Sequence, residues 1–547
     1  MKLTHPVVLA FGAAMLCMVP IIDPLIDPAH DVLYHLDGPA STLFYPVLLC
    51  IALLWIAFTA LLTLADRPGR VRLTLWTVLA CVLPWVLLQL CGRLFKWTIP
   101  LRLELSVLVI GLASAAAVLV FWRTSFQHLF DRAQEFTATV FAFLALSGVM
   151  VLSQLGWTAW QTRSANALMP LHHRASPKVG IVGASQPTAH TRIIWLILDE
   201  LSYRQVYEHR YPGLSLPAFD RLATQSTLFT QVIPAGLMTE FVVPSLISGI
   251  PADAIRASSD TRHLALEDPA LDTWVPLDQH QTVFQDALDR GYSTAVTGWF
   301  NPYCRIFSQV LDRCFWSNHN AIQSGMSSHQ TLLANVAAPF EILMRKALHF
   351  GRPKDVSHDR TSPQQRAQDY RALFTAADTM IDDSSADFLF LHMPIPHPVG
   401  IYDRRISQLT TGPSTYIDNL ALADAYLDHL RSKLEQRGEW DSTTVLIMGD
   451  HSWRTAPFWV YDTDWTPEEQ SASDGGKFDD RPAYILKLPH QQEPAHIDAP
   501  YPAVRTRALL QALMNQRIQS PQDLATWVAN PPEPQSGISA VASSTPR

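Results

Sequence analysis

The stretch Thr443–His451 (TTVLIMGDH) decides the fold class of this chain. A short apolar run ends abruptly in glycine, aspartate and histidine. Arg192–Glu200 (RIIWLILDE) has the same pattern, with an apolar run that ends in two adjacent acids. Continuous runs of this length, rich in Ile, Leu and Val, are typical of strands buried on both faces of a parallel sheet. The two stretches therefore predict two buried strands, each followed directly by acidic or histidine side chains.

Strand and helix patterns alternate through the rest of this region. Further strand candidates are Thr294–Phe300, Phe388–Leu391 and Ala483–Leu488. Helical patterns cover Thr282–Arg290 and Tyr416–Arg437, and each is followed by a glycine. The alternation predicts an α/β domain with a mainly parallel sheet flanked by helices. Ligands of such sheets collect at the carboxyl ends of strands, where these acids and histidines fall.

The first third of the chain has a different composition. Five apolar stretches are each close to the roughly 20 residues that cross a bilayer as a helix; they are Val7–Ile22, Phe44–Ala65, Leu73–Cys91, Leu105–Trp122 and Phe136–Trp157. The first could be a signal peptide, but it lacks an obvious cleavage site and four more stretches follow. We therefore predict a five-helix transmembrane domain over residues 1–158, a linker over 159–191, a catalytic domain over 192–529 and a disordered tail over 530–547.

Lysine and arginine in the loops predict the orientation. Lys2 precedes the first stretch, and the second loop carries Arg67, Arg70 and Arg72, which indicates a cytoplasmic N-terminus. Arg93, Lys96 and Arg102 in the third loop favour the opposite orientation. The prediction is a multi-pass protein of a bacterial-type inner membrane with a periplasmic catalytic domain.

Charge and cysteine content narrow the function classes. The formal net charge is −8 and there is no long basic run, which argues against nucleic acid as a partner. Cys304 and Cys314 lie in the polar region, and a disulfide between them would suit an oxidising compartment. Two unpaired thiols are the alternative.

The motifs occur in a recognisable order: strand–Asp-Glu, a threonine ahead of Pro-Ser, His-x4-His, and strand–Asp-His. In this order the chain resembles the alkaline-phosphatase and sulfatase superfamily. With its apolar N-terminal stretches it is most similar to the membrane-anchored phosphoethanolamine transferases and, more distantly, to the phosphoglycerol transferases. The resemblance implies that a metal-bound hydroxyl attacks phosphorus, and that an acceptor then removes the group from the enzyme.

The resemblance also implies roles for individual residues. Thr239, five residues before Pro244, would be the nucleophile and a metal ligand, although on its own it could be a mere helix N-cap. The remaining candidates are the metal ligands Asp450, His451 and either Asp199 or Glu200, the phosphoryl-group or second-metal residue His397, the substrate-binding residues Lys477 and Arg481, and the structural histidine His392. This ligand set suits Zn²⁺, with Mn²⁺ or Ca²⁺ less well matched.

Two departures from the family pattern limit the reaction. A formylglycine sulfatase needs Cys or Ser two residues before the proline, whereas this chain has Val242. After the Asp-His pair no histidine occurs until His490, which leaves one or two metals open. We expect transfer of a phospho-substituent from a membrane phospholipid to an envelope glycan or glycolipid. The alternatives are a phosphoester or sulfate-ester hydrolase and a catalytically inactive scaffold.

Overall fold

The computed structural model describes residues 5–26, 34–65, 69–94, 100–122, 127–162, 191–258, 262–319, 325–348, 362–455 and 465–530. Almost all of the predicted linker and tail lie outside these residues. The α-helices of the described residues are α1 Pro6–Ile26, α2 Ser41–Ala65, α3 Arg70–Leu94, α4 Leu101–Val120, α5 Gln127–Thr162, α6 Pro217–Ala223, α7 Thr239–Ser248, α8 Val283–Leu288, α9 Tyr303–Ile306, α10 Leu332–Leu348, α11 Pro363–Asp382, α12 Tyr416–Gln436, α13 Pro467–Ala472, α14 Thr506–Met514 and α15 Pro521–Ala529.

The chain forms two compact units. The helical unit contains α1 to α5 and α10, and the catalytic unit contains the remaining elements. Within the helical unit α1 packs against α2 and α5. At the α1–α5 contact only glycine fits at position 12, because a Cβ there would collide with the Phe141 carbonyl oxygen.

The helical unit carries four helices that are long and apolar enough to cross a membrane. They are Ser41–Ala65, Arg70–Gly92, Arg102–Val120 and Gln127–Thr162. The apolar part of the first helix, Pro6–Val19, is shorter. Four of the five predicted spans therefore meet the criteria of length and composition, and the first span in the chain is not confirmed.

The catalytic unit is built on an eight-stranded sheet. The strands of the described residues are β1 Ile193–Leu198, β2 Thr227–Phe229, β3 Val232–Ile233, β4 Ala254–Ala257, β5 Leu264–Asp268, β6 Thr273–Pro276, β7 Thr294–Trp299, β8 Arg313–Ser317, β9 Phe388–Met393, β10 Tyr402–Asp403, β11 Gln408–Leu409, β12 Thr444–Met448, β13 Tyr484–Lys487, β14 Ala495–Ile497 and β15 Tyr501–Pro502. The large sheet has the order β14-β2-β13-β12-β1-β9-β7-β8. From β12 to β8 every neighbouring pair is parallel, which confirms the predicted mainly parallel sheet.

The central strands are buried on both faces, as their apolar sequences predict. In β1, Trp195 and Ile197 face one core and Leu196 and Leu198 face the other. Helices α7, α8 and α14 cover the first face, and α11 and α12 cover the second. One strand differs from the prediction: the run Ala483–Leu488 forms β13, but β13 pairs antiparallel with β12.

The catalytic unit also takes in a segment from far upstream of its predicted start at residue 192. Tyr34, which lies between α1 and α2, is only 1% exposed and belongs to the core under α7 and α8. Its carbonyl oxygen accepts a hydrogen bond from Arg305, and Asp37 Oδ2 accepts one from the Asn318 amide at 2.7 Å. Residues 34–39 are thus part of the folded catalytic unit.

The predicted disulfide is present. Cys304 in α9 is bonded to Cys314 in β8. The bond ties the short helix that follows β7 to the neighbouring strand.

Candidate active site

Three adjacent parallel strands bring the site together. β9, β1 and β12 are neighbours in the sheet, and their register aligns Leu198 with Met393 and Ile197 with Met448. The residues that follow each strand therefore emerge on the same side of the sheet, as they do in other parallel α/β sheets. Gly449 is required at the turn after β12, because a Cβ there would lie 2.6 Å from the Leu201 carbonyl oxygen.

Thr239 lies at the centre of this edge. It is the first residue of α7, and its hydroxyl points at the strand ends. The Thr239 Oγ1 atom is 2.8 Å from Asp450 Oδ2, 3.3 Å from Asp199 Oδ2 and 3.3 Å from His451 Nε2. Residues that are more than 200 positions apart in sequence thus converge on one hydroxyl group.

Asp199, Asp450 and His451 surround the hydroxyl and are fully buried. His451 Nδ1 lies 3.1 Å from the Ser452 carbonyl oxygen, which can only accept, so Nδ1 carries the proton. The unprotonated Nε2 then faces the carboxylates, 3.2 Å from Asp450 Oδ2 and 4.0 Å from Asp199 Oδ1. Burial lowers the pKa of His451 to about 4, which keeps the ring neutral at physiological pH.

Four of these side chains together fit a metal ion. For brevity we call these four residues the metal cluster: Asp199, Thr239, Asp450 and His451. One ligand atom from each of the two acids and the histidine lies within 4.8 Å of the others. Asp199 Oδ1 is buried, and the described part of the chain offers it no hydrogen-bond partner. Burial and the Asp450 carboxylate raise the pKa of Asp199 well above its usual range. A divalent cation would satisfy the orphaned oxygen and relieve the repulsion between the acids.

Glu200 belongs to a neighbouring group, which we call the arginine cluster: Glu200, His397 and Arg454. Glu200 has a φ of 64°, and this left-handed turn separates its side chain from that of Asp199. Its Oε1 atom accepts a hydrogen bond from Arg454 Nε at 2.5 Å and lies 3.8 Å from His397 Nε2. Burial raises the pKa of Glu200 to about 7, and the Arg454 charge opposes this rise.

His397 lies between Arg454 of the arginine cluster and Arg366 on α11. Its Nε2 atom lies 2.8 Å from an Arg454 terminal nitrogen, and its Nδ1 atom lies 3.4 Å from Arg366. The Arg366 guanidinium stacks on the Trp299 ring at 4.2 Å. Burial, together with the charges of Arg366 and Arg454, holds the pKa of His397 well below its usual range. His397 is therefore neutral among two arginines.

His392, the first histidine of the His-x4-His pair, lies behind the metal cluster. Its Nε2 atom is 3.6 Å from Asp199 Oδ2, and its Nδ1 atom is 2.7 Å from the Tyr303 hydroxyl. Burial lowers the pKa of His392 to about 4. This histidine thus contacts a candidate ligand from the protein interior.

The structure does not bring the two basic residues singled out in the sequence to either cluster. The Arg481 guanidinium pairs with Glu208 at 2.5 Å and with Asp479 at 2.6 Å. Lys477 is exposed, and its carbonyl oxygen accepts a hydrogen bond from Thr455. Arg454 and Arg366 are the basic residues near the acids, and sequence reasoning missed both. The position of Arg454 just after the Asp-His pair was a usable signal, whereas Arg366 has none, because it lies on α11.

Comparisons with known proteins give one family match and several similar solved structures. The family model described as Sulfatase matches residues 191–501, which is more than half of the chain. Similar solved structures include the lipoteichoic acid synthase LtaP from Listeria monocytogenes, with 15% identity over 60% of this chain and 74% of that chain and a TM-score of 0.35. The phosphonate monoester hydrolase of Agrobacterium radiobacter has 13% identity over 59% and 74%, with a TM-score of 0.35. The PsFucS1 sulfatase from Pseudoalteromonas sp. has 12% identity over 59% and 68%, with a TM-score of 0.38.

No curated protein matches the sequence. The family match covers β1, the Thr239 helix, the His-x4-His pair and the Asp-His pair in one continuous span. The chain therefore belongs to the sulfatase family.

Proposed function

We propose that this protein is a metal-dependent transferase anchored in the membrane. It moves a phospho-substituent, such as phosphoethanolamine, from a membrane phospholipid to an envelope glycan or glycolipid by way of a phosphothreonine at Thr239. The observation that carries the proposal is the position of the Thr239 hydroxyl, within 3.3 Å of Asp199, Asp450 and His451. A hydroxyl in a capping role would instead face the backbone amides of its own helix, and Thr239 makes its contacts with these side chains.

The reaction proceeds in two balanced steps. First, a bond forms between Thr239 Oγ1 and phosphorus, the bond from phosphorus to the glycerol oxygen breaks, and the threonine proton ends on that oxygen. Next, an acceptor hydroxyl oxygen forms a bond to phosphorus, the bond between phosphorus and Thr239 Oγ1 breaks, and the acceptor's proton returns to Thr239 Oγ1. A metal held by Asp199, Asp450, His451 and Thr239 would lower the pKa of the hydroxyl and offset charge on the phosphoryl oxygens. Zn²⁺ suits this set of three oxygens and one imidazole nitrogen, ahead of Mn²⁺ or Ca²⁺.

The chain's own residues favour phosphate over sulfate chemistry. Val242 holds the position that a formylglycine sulfatase would oxidise, and it is fully buried in the core under α7. Thr239, in contrast, lies at the amino end of a ten-residue helix. The positive end of the helix dipole stabilises an anion at this position. The threonine is thus the nucleophile that the local structure supports.

The helical unit supports a lipid donor. Four candidate spans are long and apolar enough to anchor the chain, and five spans with an inside start would place the catalytic unit outside the cytoplasm. Residues 34–39 are part of the catalytic unit, which supports a topology with the loop after the first helix and the catalytic unit on the same side of the membrane. The arginines at 67, 70 and 72 in the next loop assign the cytoplasm to the opposite side.

Labelled lipid tests nucleophile and donor together. The full chain in detergent is incubated with phosphatidylethanolamine labelled in its headgroup, and modified peptides are mapped by mass spectrometry. We expect the label on Thr239, and Thr239→Ala should lose both label and turnover. Thr224→Ala is the matched control, because its exposed hydroxyl bonds only locally, to the Arg221 carbonyl oxygen.

The outcomes separate the alternatives. Turnover in Thr239→Ala equal to that of the wild type would remove Thr239 from the mechanism. Label on Thr239 that passes only to water would make the protein a hydrolase. Label from phosphatidylglycerol alone would change the donor to a phosphoglycerol lipid.

A further inference from the structure

Beside the metal cluster lies a second group of buried polar side chains that the two proposed steps do not use. Glu200 is fully buried, and the Arg454 guanidinium is held between its carboxylate and the His397 ring. A carboxylate and an imidazole that face one another are ordinary metal ligands. Here a cationic side chain of the protein lies between them.

We propose that Arg454 takes the place of a second metal ion, so that one divalent cation and the Arg454 guanidinium together bind the transferred phosphoryl group. This inference rests on the proposed phosphoryl transfer and names the residue that completes its site. The argument draws on charge, on hydrogen-bond direction and on position relative to the nucleophile.

The buried charges balance with one metal ion. Asp199, Glu200 and Asp450 are fully buried carboxylates. Arg454 and Arg366 provide two positive charges near them. One divalent cation then leaves a single net positive charge, which matches a phosphodiester monoanion. A second divalent cation would leave three positive charges in a buried site, which is costly without further anions.

Hydrogen-bond directions show that His397 supports Arg454. An Arg366 nitrogen 3.4 Å from His397 Nδ1 donates to the Pro398 carbonyl oxygen at 3.3 Å. His397 Nδ1 contacts the same carbonyl oxygen, which can only accept, so the ring proton lies on Nδ1. Its Nε2 atom then accepts from Arg454 at 2.8 Å. The lone pair that would bind a second metal is already used. His397 is in this arrangement a positioning residue for the guanidinium.

The remaining arm of Arg454 extends toward the nucleophile. Its third guanidinium nitrogen lies 3.4 Å from the Leu237 carbonyl oxygen and 3.5 Å from the Met238 sulfur. Met238 directly precedes Thr239, so this arm lies beside the start of α7. The contact with the Leu237 oxygen is at the long end of the hydrogen-bond range, and a thioether sulfur is a weak acceptor. A phosphoryl oxygen on Thr239 would be a far stronger partner.

The chemistry favours arginine for this task. A guanidinium is always charged and presents parallel N–H donors that match two oxygens of a phosphoryl group. It would stabilise the oxygens that the metal does not contact, as the charge on them grows in the transition state. Thr239 attacks from the metal side, and Arg454 holds the group that is transferred.

Metal stoichiometry is the first test and does not depend on turnover. The purified full chain is saturated with Zn²⁺, freed of excess by dialysis and analysed for zinc per chain. We expect one zinc in the wild type and one in Arg454→Ala. Two tightly bound zinc ions in the wild type would overturn the proposal.

Binding of inorganic phosphate to the zinc-loaded protein is the second test. We expect Arg454→Ala to weaken phosphate binding by about 10- to 100-fold. Turnover should fall by about 10²–10³-fold, which is the usual effect of removing one donor to a transition-state oxyanion. Added guanidinium ion should restore part of both. Arg210→Ala is the matched control, because its ion pair with Asp220 lies at the surface.

A conservative variant covers the case in which the alanine variant does not fold. Arg454→Lys keeps the positive charge but loses the paired N–H donors of the guanidinium. It should retain zinc while binding phosphate more weakly than the wild type. Phosphate affinity within twofold of the wild type in a folded Arg454 variant contradicts the proposal. Failure to form phosphothreonine from any lipid, with these binding results intact, contradicts only the transferase assignment.

Discussion

The metal cluster and the arginine cluster lie side by side but differ in how their charge is balanced. In the metal cluster, two buried acids face one neutral histidine and a hydroxyl, and Asp199 Oδ1 has no hydrogen-bond partner among the described residues. In the arginine cluster, the Glu200 carboxylate is paired with a guanidinium at 2.5 Å. The first group needs a cation from solution, whereas the second carries its own. Adjacent acids at one strand end can thus serve opposite purposes.

This difference has a consequence for metal dependence. Metal affinity should depend on the metal cluster and be insensitive to the arginine cluster. Phosphate affinity should depend on both. Variants that separate these two properties can therefore break or sharpen the comparison.

The largest effect is expected from Asp450→Asn. The amide keeps the shape and can still accept through Oδ1 from the Glu200 and His451 amides, at 3.1 Å and 2.9 Å. It removes the negative charge that balances the metal, so zinc binding and turnover should both fall to background. Zinc analysis and the lipid-transfer assay measure this. Asp428→Asn, which replaces an exposed acid paired with Arg221, is the control. Full zinc occupancy in Asp450→Asn would show that Asp450 is not a ligand.

An intermediate effect is expected from Glu200→Gln. Zinc content should stay at the wild-type value, while turnover falls by about 10- to 100-fold, as is usual when a residue that orients an active-site group is replaced. The reason is that Arg454 loses its anionic partner and its fixed orientation. Glu439→Gln, which weakens a more exposed ion pair with Arg192, is the control. Loss of zinc in Glu200→Gln would instead make Glu200 the ligand and collapse the distinction between the clusters.

The smallest effect is expected from Tyr303→Phe. The Tyr303 hydroxyl contacts His392, which in turn contacts Asp199. Loss of this support should weaken zinc affinity by about 10-fold, the low end for a partner behind a ligand, while the fold persists. Titration with a competing chelator measures the change. Tyr426→Phe is a matched control, because its buried hydroxyl has no hydrogen-bond partner in the described chain. Equal shifts in both variants would argue against a link from Tyr303 to the metal.

Much of the fold could be predicted from local patterns. Apolar runs identified β1, β9, β12 and β13 to within a few residues, and the less apolar stretch Thr294–Phe300 identified β7. The direction of β13 could not be predicted, because an apolar run carries no information about the strand beside which it lies. The membership of Tyr34 in the catalytic core was equally inaccessible, since it depends on contacts with Arg305 and the α7 core far along the chain.

The sequence by itself determined the strand-then-acid order, the threonine five residues before the proline, the cysteine pair and the apolar N-terminal region. These features are local, and the carboxyl ends of parallel strands must meet at one edge of a sheet. Only the tertiary structure decided which acid of the Asp199–Glu200 pair faces Thr239, because a single left-handed turn sends the two side chains apart. Only the tertiary structure decided which arginine lies beside the buried acids: Arg481 pairs with its neighbour Asp479 and with Glu208, whereas Arg454 turns inward to Glu200. Ion pairing between distant residues is set by the packing of the whole chain, and short-range sequence does not encode it.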